Sequence, residues 1–554
     1  MSRVRATAGR RVIPVIVRQI LEGRNVPQED MERFVYPDYD QDLHDPWLLA
    51  DMQKAIDRIE TAAAKAEKVV VYGDYDIDGI TASAVMIEAL EGIGITAESY
   101  IPDRFEEGYG INAAALKKLK DDGVDLVISV DCGITSVLEA NWAKENGLDL
   151  IVTDHHTVPE ILPDAVAVIN PKRPGDRYPF KELAGVGVAF KVACAIQQRT
   201  GKPDKGQEKW LLDLVAFGTV CDLVPLVGEN RVLVKYGLKV MQKTRRIGLR
   251  SLAESSKVDL SGIQADHLGF RFGPRMNAAG RLENAACALE LVRTKDRVRA
   301  DEIADELEHL NRQRKSDQEK IFLEADKMAE ADRDSPILVL ASESWSHGIV
   351  GIVASKLVEK WQKPVLVAQI LGDSAKGSGR SVPGFNLVQA LRENEGLLSK
   401  YGGHYFAAGF TVSVSNLDKL RDGLGKAWNA REEAVDNAAR EVEIARESLD
   451  GLSLDLIEEL GLLEPFGHGN PRPSIELRDL TVVQAAVIGV DGKHLKLTLK
   501  DSEGRKLGAI GFGMAVQHSA LGAGLRLTAR GELNKNEYLG RSTLQLMINE
   551  LIYE

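Results

Sequence analysis

Carboxylates and imidazoles stand directly after several short apolar runs in the first half of the chain. The runs are residues 69–72, 126–130, 148–153 and 214–220, and the side chains after them are Asp74, Asp76, Asp78, Asp131, Asp154, His155, His156 and Asp222. Carboxylates that are brought together repel one another unless a cation neutralises them. Oxygen-rich sites with one or two imidazoles suit Mn²⁺ or Mg²⁺ better than Zn²⁺. The residue types therefore favour a divalent-metal site.

These side chains can meet only if the elements before them end at one edge of a sheet. The sequence predicts strands at 68–72, 97–101, 126–130 and 148–152 and helices at 80–90, 113–120, 137–146, 184–200 and 210–220. Alternating strands and helices are typical of a parallel sheet with right-handed crossovers, and nearly continuous apolar strands indicate that both faces are covered. Ligands of such sheets bind just beyond the carboxyl ends of the strands.

Each motif taken alone has a plainer interpretation. Asp74–Gly79 resembles part of a Ca²⁺ loop or a simple turn, although the later Glu of an EF-hand is missing. Asp131 and Asp222, taken singly, are more typical of helix N-caps. His155 and His156 are adjacent, so on an extended strand end they point in opposite directions. The combination, in this order, favours metal-dependent hydrolysis of a phosphoester in a polyanion.

The composition limits how such a polyanion is held. The chain has 554 residues, 70 Lys and Arg against 83 Asp and Glu, and a formal net charge of −13. A general basic attraction to nucleic acid is therefore excluded, and a local basic lining or metal ions must replace it. The four cysteines have no CxxC spacing, and no secretory signal or long uncharged apolar run is found. These features predict a cytoplasmic protein with reduced thiols and no membrane span.

The remaining sequence predicts further domains. We expect an N-terminal helical segment at 1–45, a catalytic domain at 46–235, a helical connector at 236–333, a second, smaller α/β domain at 334–430, and a helical lead-in with a β domain at 431–554. The charged stretch 296–331 is interpreted as one long, solvent-exposed helix, and 415–450 as helical. From about residue 473, short alternating strands broken by Gly, Asp and Asn predict a small barrel or sandwich.

Several motifs together resemble a known family. Their segments, quoted as they stand in the chain, are GDYDIDG, VDCG, TDHH and CDLVPL, then 272–281 (FGPRMNAAGR), 402–409 (GGHYFAAG) and 465–471 (PFGHGNP). The first four resemble the motifs of the DHH phosphoesterase superfamily. The last three resemble segments of the RecJ single-strand-specific exonucleases. This resemblance implies a parallel-sheet DHH domain, a DHH-associated domain and a C-terminal OB-like barrel.

The resemblance also implies two divalent ions, Mn²⁺ or Mg²⁺. The implied metal ligands are Asp74, Asp76, Asp78, Asp131, His155 and Asp222, and the implied catalytic residues are Asp76, Asp78, Asp131, His155, His156 and Asp222. Asp131, alone on its strand end, is the candidate bridging ligand. Asp76 is assigned to one metal, and Asp78, His155 and Asp222 to the other. Asp154 is expected to orient an imidazole.

A separate set of residues is expected to bind the substrate. It consists of Arg104, Arg275, Asn277, Arg281, Ser378, Arg380, Ser381 and His404. Arg275 and Arg281 are predicted to lie in a loop, from which a guanidinium can bind a phosphate through two hydrogen bonds. Residues 377–381 are interpreted as a nest for a terminal phosphate. Tyr109 either stacks on a base or packs in its loop. The family's W-H-x-G run is Trp-Ser-His-Gly here, which leaves the role of His347 open.

The activity implied by the resemblance is 5′→3′ hydrolysis of single-stranded DNA to 5′-mononucleotides, in recombination and mismatch repair. The implied partners are single-stranded DNA, a single-strand-binding protein and a helicase. One alternative is a DHH-family phosphodiesterase of oligoribonucleotides or cyclic dinucleotides, which the length of the chain and the 465–471 segment disfavour. Another is a catalytically silent RecJ-like scaffold, which the intact candidate ligands disfavour.

Overall fold

The computed structural model describes residues 12–553 apart from 104–106, 108–109, 283–284, 432–443, 490–491, 516–517, 519–520 and 539–540. The α-helices of the described residues are α1 Val15–Gly23, α2 Gln28–Val35, α3 Met52–Lys65, α4 Ile77–Gly92, α5 Ala113–Asp121, α6 Val137–Glu145, α7 Gly185–Thr200, α8 Leu212–Cys221, α9 Gly228–Met241, α10 Ile247–Ser256, α11 Ala265–His267, α12 Gly273–Leu282, α13 Ala286–Arg293, α14 Arg297–Ala331, α15 His347–Trp361, α16 Leu387–Glu393, α17 Leu417–Ala430 and α18 Leu454–Gly461. None of them is both long and apolar enough to cross a membrane.

Three sheets organise the described residues. Their strands are β1 Val69–Tyr72, β2 Ala97–Tyr100, β3 Leu126–Val130, β4 Asp149–Thr153, β5 Ala167–Ile169, β6 Leu338–Ser342, β7 Val365–Leu371, β8 Ser374–Arg380, β9 Leu398–Gly403, β10 Ala407–Ser413, β11 Ile444–Glu447, β12 Ser474–Ile488, β13 His494–Lys500, β14 Lys506–Gly511, β15 Arg526–Tyr538 and β16 Arg541–Tyr553. The first sheet has the order β2-β1-β3-β4-β5, and all its pairings are parallel.

The first sheet has the covered, parallel form that the sequence predicts. Every residue of β1 and β3 is buried, because side chains on both faces pack into apolar clusters. The order places β1 between β2 and β3, so the chain reverses its direction of winding at the carboxyl ends of β1 and β3. Such a switch point is where open α/β sheets bind ligands. The short strand β5 is not among the predicted strands.

The long helix α14 connects two α/β units and also packs against both. Its N-cap Asp296 accepts a hydrogen bond from the backbone N–H of Val298 at 2.9 Å. Ile303 and Leu307 belong to the core of the first unit, and Ile321 belongs to a cluster under the second sheet. The expectation of a solvent-exposed connector is therefore wrong, because one apolar stripe along α14 is buried.

The second unit has a mixed sheet in the order β6-β7-β8-β10-β9. Strands β6 and β7 are parallel, and the other pairings are antiparallel. Two local interpretations are wrong. Residues 377–380 belong to strand β8 rather than to a nest, because they pair with both β7 and β10. Arg275 and Arg281 lie on helix α12 rather than in a loop. Its small residues allow close packing: a Cβ on Gly280 would lie 2.9 Å from the carbonyl oxygen of Tyr75.

The C-terminal β unit is a closed barrel. Strands β12, β13, β14, β16 and β15 follow one another, and the pairing of β15 with β12 closes the circle. Strand β11 adds to β12 in parallel. The helical interpretation of 415–450 holds for α17 but is wrong at β11, and 432–443 lie outside the described residues.

The N-terminal helices share the core of the barrel. Apolar residues of α1 and α2, among them Val17 and Val35, cluster with Leu460 of α18 and with the barrel strands. Arg231 of α9 in the first unit joins this body, because its Nε donates to the carbonyl of Phe34 at 2.9 Å and its Nη1 to that of Leu463 at 2.7 Å. The barrel side of the molecule is thus bonded directly to the unit that carries the acidic residues.

Candidate active site

The carboxyl ends of β1, β3 and β4 surround the amino end of α4. Asp76 is the N-cap of α4, and its Oδ1 accepts from the backbone N–H of Gly79 at 3.1 Å. The loop is tight at Gly79, where a Cβ would lie 2.6 Å from the backbone nitrogen of Asp74. The glycine is therefore needed for the turn that brings Asp74 and Asp76 to one side.

Asp131 follows β3 in a left-handed backbone conformation, with φ of 60°. It caps no helix, because α6 begins only at Val137. Its carboxylate packs against the first residue of α7: a Cβ on Gly185 would lie 2.4 Å from Oδ1 of Asp131. Sequence reasoning missed Gly185, since only the folded chain brings α7 to the end of β3.

His155 lies at the centre of the carboxylates. Its Nε2 is 3.2 Å from Oδ1 of Asp131, 3.5 Å from Oδ2 of Asp222 and 3.9 Å from Oδ2 of Asp78. None of these three contacts is a hydrogen bond, because the atoms are either too far apart or poorly aligned. Among the described residues, Nε2 of His155, Oδ1 of Asp131 and Oδ2 of Asp222 are buried without a hydrogen-bond partner. Buried polar atoms in proteins are normally satisfied, so this cluster fits an additional ligand.

The electrostatics of the carboxylates favour a bound cation. Burial, followed by the charges of Asp78 and Asp76, raises the pKa of Asp131 well above its usual value. Burial and the charge of Asp78 raise the pKa of Asp222 to about 9, and burial and the charge of Asp76 raise that of Asp78 to about 7. Asp78 also accepts from the backbone N–H groups of Gly185 at 2.6 Å and of Val186 at 2.8 Å.

The two imidazoles have different environments. Burial, and then the charge of His156, lowers the pKa of His155 to about 3, which keeps this ring neutral. Burial opposes protonation of His156, but its Nδ1 lies 2.7 Å from Oδ1 of Asp154, and this hydrogen bond raises the pKa of His156. Asp154 is fixed in turn by the backbone N–H of Ile134 at 2.9 Å. His155 is thus a neutral imidazole, as a metal ligand must be, and the ring of His156 is oriented by Asp154.

Three groups of side chains have ligand atoms close enough to hold an ion, all within 4.8 Å of one another. They are Asp74, Asp76 and Asp131; Asp78, His155 and Asp222; and Asp131, His155 and His156. Asp131 is shared by two of the groups. Carboxylates with one or two imidazoles suit Mn²⁺ or Mg²⁺, so the residues present fit the two ions expected from the sequence.

A cleft of about 390 Å³ opens over the cluster. Its lining residues are Asp74, Tyr75, Asp76, His156, Cys221, Asp222, Asn277, Gly280 and Arg281. The structure therefore brings Asn277 and Arg281 to the acidic cluster. Nη1 of Arg281 donates to the carbonyl of Gly348 at 3.1 Å, which connects α12 to the first turn of α15.

The other substrate-binding candidates have different positions. Arg275 does not line the cleft, because its Nε lies 2.6 Å from Oε2 of Glu308 and its Nη1 donates to the carbonyl of Arg271. Nη1 of Arg380 donates to Oγ of Ser378 at 2.8 Å, and both face the first turns of α15, where a Cβ on Gly351 would lie 3.1 Å from that Oγ.

Ser381 and His404 are held by local contacts. Oγ of Ser381 donates to the carbonyl of Phe385 at 2.7 Å, and the backbone N–H of His404 donates to the carbonyl of Ala407 at 2.7 Å in the turn between β9 and β10. The His404 side chain is exposed. His347 is the first residue of α15, and its backbone N–H donates to Oε1 of Gln369 at 3.0 Å. Arg104 and Tyr109 lie outside the described residues.

Comparison with known families agrees with this division of the chain. Residues 68–219 match the DHH family, N-terminal domain; 334–429 match the DHHA1 domain; and 445–550 match the RecJ OB domain. Fold and site thus define a DHH-type protein with a DHH-associated domain and an OB domain.

Similarity over the whole chain narrows this class. The single-stranded-DNA-specific exonuclease RecJ of Bacillus subtilis is 39% identical over 97% of this chain and 68% of its own length. The RecJ of Dickeya dadantii is 33% identical over 97% of this chain and 96% of its own length. The chain belongs to the RecJ family.

Solved structures show the same architecture with metals bound. RecJ of Thermus thermophilus in complex with Mn²⁺ matches with a TM-score of 0.82 and 29% identity, covering 97% of this chain and 76% of that one. Its Mg²⁺ complex matches with a TM-score of 0.77 and 28% identity, covering 98% and 75%. The predicted α/β architecture with a C-terminal barrel is confirmed.

Proposed function

We propose that the protein is a metal-dependent exonuclease that digests single-stranded DNA from 5′ to 3′ and releases 5′-mononucleotides. Membership of the RecJ family and the metal-bound relatives support the reaction class. The observation that carries the proposal is the buried cluster of Asp131, His155 and Asp222, whose unpartnered atoms and raised carboxyl pKa values call for divalent cations.

The proposed ligand sets follow the three-residue groups. Asp74, Asp76 and Asp131 would hold one ion, and Asp78, His155 and Asp222 would hold the other. Asp131, which also groups with His155 and His156, would lie between the two sets. When bound, two such ions supply an activated water and stabilise the charge that develops on the phosphate and the leaving oxygen. Burial of the cluster strengthens every one of these electrostatic interactions.

The side chains of the cleft position the phosphate. His156, which Asp154 holds at 2.7 Å, donates to a non-bridging oxygen. Arg281 and Asn277, which line the same cleft, bind the phosphate from the side of α12. A guanidinium is suited to this role because it presents several N–H groups in one plane.

Polarity is proposed to come from the second unit. Ser378 and Arg380, together with the first turns of α15, bind the terminal 5′ phosphate. The hydrogen bond from Arg281 to Gly348 supports this assignment, because it places the start of α15 beside the metal cleft. The barrel binds the strand that leads away from the site, as OB folds do. The five sequence segments then act as an N-terminal segment, a catalytic domain, a connector, a terminal-phosphate domain and a strand-binding domain. We also propose a cytoplasmic role in repair with a single-strand-binding protein and a helicase.

End-labelled strands test the proposal directly. Single-stranded DNA and RNA, labelled at either end, are incubated with the protein with and without Mn²⁺, and the products are sized. We expect mononucleotides released from the 5′ end of DNA, only with metal, and roughly a thousandfold less activity for Asp131→Ala. A preference for short RNA or cyclic dinucleotides would favour the phosphodiesterase alternative, and strand binding without cleavage by the wild type would favour the scaffold.

A further inference from the structure

A buried arginine on α14 has no acidic partner among the described residues. Arg314 is 8% exposed, and its Nη1 and Nη2 donate to the neutral amides of Gln318 at 3.2 Å and Asn311 at 3.0 Å. Its Nε is buried and has no hydrogen-bond partner among the described residues. Burial lowers the pKa of Arg314, and no described carboxylate counteracts that shift. A buried charge without a counter-charge is costly, so the site is suited to an anionic ligand.

Arg314 lines a groove that adjoins the metal cleft. The groove has a volume of about 490 Å³ and extends to residues 466–468, ahead of the barrel. It shares three lining residues with the metal cleft, namely Cys221, Asn277 and Arg281. A strand that leaves the cleft toward the barrel would therefore pass Arg314.

The charges around Arg314 also favour an anion. Burial lowers the pKa of the neighbouring Lys315, and the charges of Arg275 and Arg314 lower it further. Glu308, the acid whose charge acts on Lys315, is already paired with Arg275 at 2.6 Å and with Arg312 at 2.8 Å. The lining of the groove includes Arg281 and Arg314 and one carboxylate, Asp266, which is already paired with Arg472 at 2.6 Å.

We propose that Arg314, held in place by Asn311 and Gln318, binds a phosphodiester of the single strand on the 3′ side of the bond that is cut. This contact rests on the proposed function, and it holds the part of the strand that remains after each cleavage. Phe270, a residue that is 78% exposed, lines the same groove and offers a ring on which the adjoining base stacks.

A chemical double-mutant cycle tests the contact. Each internal linkage of a short single-stranded oligonucleotide is replaced in turn by a neutral methylphosphonate, and kcat/KM is measured for the wild type and for Arg314→Ala. We expect one linkage at which neutralisation lowers the wild-type kcat/KM about tenfold. Arg314→Ala should show a similar loss on unmodified DNA. The variant acting on the modified DNA should lose no more than either change causes alone. Lys320→Ala, which removes an exposed cation paired with Asp317 on the same helix, should leave the profile unchanged.

Additive losses at every linkage would overturn the proposal, since they would show that Arg314 contacts no phosphate. Arg314→Gln, which removes the charge but keeps a polar side chain beside the two amides, replaces the alanine variant if the latter loses its thermal transition. The same cycle is repeated on binding, by fluorescence anisotropy in EDTA. Coupling in binding without any wild-type cleavage would retain the Arg314 contact while rejecting the nuclease function. Normal wild-type cleavage without coupling would retain the nuclease function while rejecting the Arg314 contact.

Discussion

At the scale of single residues, the carboxylates of the cluster make the metal-free protein sensitive to pH. The pKa of Asp78 is raised to about 7 and that of Asp222 to about 9, first by burial and then by neighbouring carboxylates. A carboxyl whose folded pKa exceeds its unfolded value contributes stability that is complete below about pH 4 and is lost as the pH rises through the folded pKa. We therefore expect the free energy of unfolding in EDTA to fall by an amount on the order of several kcal/mol between about pH 5 and about pH 9. The melting temperature, which is the quantity measured, should fall over the same range.

The matched control for this pH dependence is the double variant Asp131→Asn and Asp222→Asn. It replaces two of the buried acids by neutral amides of the same shape, so its metal-free stability should depend less on pH. Saturating Mn²⁺ should flatten the wild-type curve by neutralising the same charges, and should have little effect on the variant. Parallel curves for the wild type and the double variant in EDTA would contradict the assignment of the pH dependence to this cluster.

At the scale of elements, the start of α7 shapes the metal site. A Cβ on Gly185 would lie 2.4 Å from Oδ1 and 2.7 Å from Cγ of Asp131, so Gly185→Ala must displace that carboxylate. We expect the affinity for Mn²⁺, measured by calorimetric titration, to fall about tenfold or more. Gly461→Ala is the control, since a Cβ there meets nothing within 4 Å. An unchanged Mn²⁺ affinity in Gly185→Ala would show that Asp131 is not a ligand.

The sequence predicts elements well where one local pattern decides them. Apolar runs such as β3 are buried on both faces, and the acidic residues that follow the strands meet because parallel strands end at one edge. Prediction from the sequence fails where contacts between distant parts of the chain decide the structure. Gly, Asn and Pro in 273–282 favour a loop, yet these residues form α12, whose small side chains let the helix approach the loop after β1. The role of Gly185 depends on its contact with Asp131, which is far away along the chain, and no local pattern shows it.

At the scale of the whole molecule, Arg231 connects the catalytic unit to the body that the N-terminal helices form with the barrel. The residue is 2% exposed, and its guanidinium donates to the carbonyls of Phe34 at 2.9 Å, Leu463 at 2.7 Å and Leu462 at 3.2 Å. Burial, and then the charge of Arg24, lowers the pKa of Arg231 to about 9, while the charge of Glu464 raises it. Removal of the guanidinium leaves up to three carbonyls in this interface without that partner.

We therefore expect Arg231→Met to lower the free energy of unfolding by about 3 to 5 kcal/mol. Because the lost bonds join two bodies, we expect calorimetry to show one transition for the wild type and a broadened or divided transition for the variant. Limited proteolysis should release the barrel from the variant. Arg333→Met, at an arginine whose side chain is 65% exposed, should do neither. The change should also leave the Mn²⁺ affinity of the cluster intact, since none of the proposed ligands contacts Arg231. A uniform loss of stability with one sharp transition would instead mean that the two bodies are held together mainly by the apolar contacts between them.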